Sequence, residues 1–166
     1  MVRSGLFVLL LSTLLAGCAY GPLEADEAYR DDVATVAVAA AVNAAPRPEV
    51  SAAVSDALVR EVEQRTPYRV ADVERADTLL EVTIREVDVG TPLRSRNTGF
   101  PQVSSLDVIA EATWTDLRDG QTLLRLSGIR GESEHFPEYG EGVPVSERSA
   151  AEALAERIVD EMAARW

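Results

Sequence analysis

Catalysis needs a reactive side chain and a neighbour that activates it, and this chain carries few such pairs. It has one histidine, His135, one cysteine, Cys18, and no lysine among 166 residues. A Ser-His-Asp triad has only His135 to use, and the Gly/Pro-rich stretch from Gly131 to Val145 around it holds no nucleophile-elbow sequence. A zinc site would need more imidazole or thiolate ligands than one histidine supplies. A phosphate-cradling loop of the Gly-x-x-x-x-Gly-Lys type is absent, and there is no lysine to complete one. Carboxylates are plentiful, but no spacing marks out an acid pair. The expectation is a protein that is not an enzyme and takes no metal or cofactor. Two stretches hold chemistry suited to contact. Arg94 and Arg96 make a local positive spot, and arginine forks suit phosphate or carboxylate, although solvated loop arginines are the commoner case. Phe136, Pro137 and Tyr139, with Glu134, Glu138 and Glu141, form an aromatic-acidic stretch that suits a protein partner or a loop folded back on its own core.

Cys18 is a different kind of residue. It follows Leu15-Ala16-Gly17, a basic start at Arg3 and an apolar run from Leu6 to Leu15. Basic start, short apolar core and small residues before a cut are the parts of a secretory signal, and the run is shorter than the roughly 20 residues that span a bilayer. Leu-Ala-Gly-Cys matches the bacterial lipobox at all four places. Residues 1–17 are therefore expected to be removed and Cys18 to carry diacylglycerol and palmitate, leaving no thiol for a Cys/His pair. One acyl chain gives marginal anchoring and two or three hold a protein at a membrane. Ala19, by resemblance to sorting rules in enteric bacteria, favours the outer membrane, with the domain on its periplasmic side. With a single cysteine no intramolecular disulfide can form. The formal charge of -12 disfavours nucleic acid and broad adhesion to anionic lipid.

The elements that would position these residues follow from periodicity. Residues 18–32 carry Gly21, Pro22 and five acidic residues, the composition of a polar tether. Val33 to Val42 is a nearly continuous apolar run, as in a strand buried on both sides. From Glu49 to Arg65, Val50, Val54, Leu58 and Val62 recur every four residues, an amphipathic helix that Pro48 starts and Thr66-Pro67 stops. Tyr68 to Ala71 is a short strand. Thr78 to Val89 alternates strictly until the phase slips after Glu86, so a bulge is expected near Arg85-Glu86. Gly90 to Ser105 reads as a long loop, Leu106 to Leu117 as a strand, Asp119-Gly120 as a hairpin turn and Thr122 to Gly131 as the return strand. Gly131 to Val145 reads as a second loop, and Ser146 as the cap of a final helix on Leu154, Ile158, Met162 and Trp166. A helix after an apolar strand implies a parallel crossover. The expected fold is thus α+β, with two helices packed on one face of a mixed four- to five-stranded sheet, and 33–166 forming one domain.

Several segments together carry a family likeness. The lipobox cysteine opens the mature chain, and Tyr29-Arg30 leads into the strand at Val33–Val42. The helix core Leu58-Val59-Arg60-Glu61-Val62 is followed by Arg65-Thr66-Pro67-Tyr68-Arg69-Val70. Next comes Ala76-Asp77-Thr78-Leu79-Leu80-Glu81-Val82-Thr83-Ile84, and the chain closes in a helix ending at Trp166. This pattern resembles the LptE family of lipopolysaccharide-assembly lipoproteins in a divergent form. The resemblance implies a domain that plugs the lumen of an outer-membrane β-barrel, LptD, and with it places lipopolysaccharide in the outer leaflet. It also implies direct contact with lipopolysaccharide through basic residues, from which this acidic, lysine-free chain departs. Envelope lipoproteins of the LpoB/CsgG-like type share a similar element order. They act as activators of a peptidoglycan synthase or as oligomeric secretion components, so the partner discriminates between the two classes.

Overall fold

In the computed structural model, which describes residues 29–44, 47–94, 96–97, 101–135 and 143–163, the apolar run is a strand interrupted once. Its first part is β1 (Thr35–Val38) and its second β2 (Val42–Asn43). Both lie parallel to β4 (Thr78–Arg94), Val38 opposite Leu80 and Val42 opposite Thr83. Between them the chain bows out, and the Ala41 N–H turns to the Ser55 hydroxyl of the following helix at 2.9 Å. Val36 and Ala37 are buried on opposite faces, as a continuous apolar run requires.

Helix α1 (Pro48–Arg65) has the bounds its apolar spacing predicts. Proline sits where its missing N–H costs nothing, and Glu49 and Arg65 complement the dipole at the two ends. At its C-terminus the Val62 carbonyl accepts from the N–H and hydroxyl of Thr66, at 3.2 and 2.6 Å. The chain then crosses to β3 (Arg69–Val70), which pairs parallel with β1 on its free side.

β4, β5 (Pro101–Asp116) and β6 (Thr122–His135) form an antiparallel meander, so the sheet order is β3-β1-β4-β5-β6 with β2 also on β4. The expected bulge is present: Ile84 faces Ala110 and Glu86 faces Ile109, leaving Arg85 as the extra residue. The expected hairpin turn is present too, with Gly120 at φ 77. Helix α2 (Val143–Ala163) lies over β5 and β6 beside α1. The two helices thus cover one face of a mixed sheet, in an α+β fold.

Leu80, Val82 and Ile84 from β4 and Leu106, Val108, Ala110, Ala112 and Trp114 from β5 are all buried beneath the helices. Val50, Val54, Leu58 and Val62 meet them from α1, and Leu154, Ile158 and Met162 from α2. At Gly131 the sheet and α2 touch backbone to backbone. A Cβ there would lie 2.2 Å from the Ala150 carbonyl oxygen.

Three expectations are corrected. Gly90 to Ser105 is not a long loop, because β4 continues to Arg94 and β5 resumes at Pro101, with Gly90 opposite Ser105. Gly131 to His135 is strand rather than loop, because these residues complete the pairing of β6 with Leu106, Val108 and Ser104. Ser146 is not a cap. It lies inside α2, is buried, and its carbonyl accepts the Ser133 hydroxyl at 2.8 Å. Ladder hydrogen bonds outweighed the Gly and Pro content that marked both stretches as irregular. The described part of α2 ends at Ala163, so Trp166 lies outside the described residues.

Candidate functional site

Two groups of residues with contact chemistry lie at opposite ends of the sheet. At one end the chain enters the domain. Tyr29 donates its hydroxyl hydrogen to the Arg65 carbonyl at 2.9 Å and meets the ring of Tyr68 edge-on, centroids 5.8 Å apart. Tyr68 is buried, touches the Trp114 ring at 5.8 Å, and its hydroxyl oxygen accepts the Arg30 N–H at 2.9 Å. Burial raises the pKa of both phenols.

Asp77 holds the start of β1 to the start of β4. Its Oδ2 accepts from the N–H groups of Ala34 (3.0 Å) and Thr35 (2.9 Å) and from the Thr35 hydroxyl (2.9 Å). In return its own N–H donates to Thr35 Oγ1 at 2.9 Å, and its carbonyl accepts Leu117 N–H at 2.8 Å. The bonds from Ala34 and then Thr35 hold this carboxyl below the usual range.

Beside it, Arg118 forks onto the buried Asp116, with Nε–Oδ1 at 3.0 Å and Nη2–Oδ2 at 2.6 Å. The same guanidinium reaches the Asp32 carbonyl oxygen at 2.8 Å and Oδ2 of Asp32 at 3.2 Å. Arg30 forks onto Asp32 from the other side, at 2.7 and 2.8 Å. The Arg30 hydrogen bonds, followed by its charge and the hydrogen bond from Arg118, lower the Asp32 pKa to about 2. Arg118 lowers that of Asp116 and is itself raised. All three depressed carboxyls are fixed as anions with arginine or N–H partners, the opposite of what a proton donor at neutral pH needs. Chemically this end is a clamp: it secures residues 29–35, the stretch that joins the domain to the preceding chain.

At the other end the β4–β5 hairpin runs out. Arg94 is there the last residue of β4, its backbone opposite Pro101, and Arg96 is exposed in the turn. His135 is the last residue of β6 and stands opposite Ser104, in the same half of the sheet. Phe136 and Tyr139 lie outside the described residues, as does Cys18 with the signal segment. Among the described residues no cluster of His, Cys, Asp or Glu has the arrangement of a metal site.

Sequence reasoning missed the Asp32–Arg118–Asp116 network, because Asp32 lies 86 residues from Arg118 and no local pattern links them. Asp77 and Tyr68 did carry a signal, since both lie in the segments on which the family likeness rests.

No curated protein matches the sequence. A model for the family described as lipopolysaccharide-assembly, LptE, matches residues 33–166. The chain belongs to the LptE family.

The matched LptE segment starts two residues before β1 and includes both helices and every strand. Solved structures resemble the fold at low identity. A protein of Xanthomonas campestris aligns with a TM-score of 0.52 at 13% identity, covering 80% of this chain and 87% of its own. A hypothetical protein from Chlamydia trachomatis aligns at 0.51 and 9% identity, covering 78% and 93%. An uncharacterized lipoprotein B from Nitrosomonas europaea aligns at 0.50 and 13%, covering 76% and 82%. These likenesses concern the fold alone.

Proposed function

We propose that this LptE-family protein is an outer-membrane lipoprotein, anchored through acyl chains on Cys18, whose domain seats in the lumen of an LptD-like β-barrel and assists delivery of lipopolysaccharide to the cell surface. The observation that carries the reading is the family match over the whole of 33–166. The surface agrees with it. The sheet face away from the helices presents Glu81, Arg85, Glu111 and Arg125, with Arg85 and Glu111 paired at 2.5 Å. The interior of a membrane barrel is polar, so a polar sheet face suits such a lumen. The role is one of assembly rather than catalysis, and no nucleic acid, metal or cofactor enters it. Direct contact with lipopolysaccharide would draw on Arg94 and Arg96 at the hairpin end.

The test is affinity purification of the tagged full-length protein from detergent-solubilised envelopes. An LptD-type barrel at one-to-one stoichiometry is the expected result. Recovery of a peptidoglycan synthase, or of the protein with itself alone, would replace this reading with the LpoB/CsgG-like one. Cys18→Ser in the same strain should release the protein from the membrane fraction and abolish its labelling by a palmitate analogue.

A further inference from the structure

Beyond the bulge, β4 is paired on one side only. Its partner there is β5, with Glu86 opposite Ile109, Asp88 opposite Asp107 and Val89 opposite Leu106. On the other side β2 stops at Asn43 opposite Ile84, and among the described residues the last bond across is Ala44 N–H to the Ile84 carbonyl at 3.0 Å. Among the described residues nothing pairs with this edge from Glu86 onward. Such an edge offers a row of unpaired N–H and C=O groups, a template for another extended chain.

The side chains along the edge are sorted by charge. Ile109 and Asp107 lie opposite in sense to the buried Leu106 and Val108, so Glu86 and Asp88 stand on the open face. Val87 and Val89 stand on the helix side, where Val89 is 44% exposed. Asp88 directly faces Asp107, and like charges opposite one another destabilise an antiparallel pair. The Arg130 guanidinium meets Asp107 only at 4.0 Å and also serves Glu132 at 3.7 Å, while Arg85 is engaged with Glu111.

The geometry points to Glu86–Gly90 as a docking edge for an extended segment of a partner protein, pairing with β4 and alternating basic with apolar residues. Its basic side chains would meet Glu86 and Asp88, and its apolar ones would cover Val87 and Val89. Pro92, which has no N–H, limits the length of the pairing. A second copy of this chain fits poorly, because edge-to-edge pairing would set Glu86 and Asp88 against their own counterparts. On the β6 edge one carbonyl is already engaged: Arg157 of α2 donates to the Arg130 carbonyl at 2.7 Å. This inference rests on the strand edge and stands whether or not the partner is a barrel.

The test is amide hydrogen exchange on the full-length protein in detergent, with and without the peptide acetyl-Val-Arg-Val-Arg-Val-Arg-Val-amide. Exchange at Glu86–Val89 should slow by roughly tenfold or more. The double variant Glu86→Gln/Asp88→Asn should weaken binding by at least about fivefold. A block peptide of the same composition, Val4Arg3, and an analogue with glutamate in place of arginine should give no protection at β4. Equal protection by either control, protection on β6 instead, or self-association of the protein in sedimentation would overturn the proposal. Asp88→Asn alone should melt no lower than the native protein. A lower melting temperature would mean that Asp88 is spent inside the fold, and would also overturn it.

Discussion

Gly131 is the position at which a single methyl group tests the packing of the domain most directly. It faces Val108 across the β5–β6 ladder, on the side covered by α2. An added Cβ would meet Ala150 O at 2.2 Å, Leu154 Cβ at 2.6 Å and Leu154 N at 2.7 Å. Two of these three atoms are helix backbone, so no rotamer change relieves the clash and α2 must retreat by about 1 Å, enough to forfeit a quarter to a half of the dispersion energy at each contact it loosens. Ala150, Ala151, Leu154 and Ile158 all share that buried face. Overpacking of this kind costs typically 1–3 kcal/mol, and with two backbone clashes Gly131→Ala should lie at the top of that range, about 3 kcal/mol. Replacing glycine by alanine in a strand recovers roughly 0.5–1 kcal/mol, leaving a net loss of about 2 kcal/mol. For a domain of this size that lowers Tm by roughly 4–8 °C. Thermal and urea unfolding followed by circular dichroism provide the assay, with Gly128→Ala as control. A Cβ at Gly128 meets nothing within 4 Å, and only its φ of 67° opposes the substitution. A Gly131→Ala protein as stable as the native one would refute the close approach of α2 to β6.

Asp77 and Asp32 make stability depend on acid. Both folded pKa values lie below the unfolded one, so their contribution is complete above about pH 4 and is lost as pH falls through the folded values, about 2 for Asp32. Urea midpoints should therefore drop below pH 4, and Asp77→Asn should flatten that dependence while lowering stability at pH 7 by about 1–3 kcal/mol. Tyr68→Phe removes the acceptor of the Arg30 N–H and keeps the ring contact with Trp114, so it should cost about 1 kcal/mol, against about 3–5 kcal/mol for Tyr68→Ala by the same unfolding measurement. Arg60→Ala should change stability by less than about 0.5 kcal/mol, because its bridge to Glu152 is 47% exposed at both ends. A larger loss there would show that the ion pairs between α1 and α2 act as a network.

Period and punctuation were enough for the helices and for the register of the meander's core. Val50, Val54, Leu58 and Val62 bury one helical face whatever lies beneath them, and the slip after Glu86 can be satisfied only by an extra residue in the strand. The lipobox at Leu15–Cys18 and the segments around Tyr68 and Asp77 are likewise local, and they carried the family likeness without any knowledge of their contacts.

What the tertiary structure alone decided is how far the strands run and what the ends of the sheet do. Gly90–Arg94 and Gly131–His135 read as loops because Gly, Pro and charged residues fill them. Backbone pairing across β4, β5 and β6 is indifferent to those side chains and extends both stretches as strand. Ser146 is a good cap in isolation, yet helix α2 starts at Val143 and buries it against Ser133. The clamp of Asp32, Asp116 and Arg118 and the open edge at Glu86–Gly90 arise from residues or strands distant in the chain. Sequence periodicity reports which face of an element is buried; which elements become neighbours, and which edge is left without one, is settled only when the whole sheet is assembled.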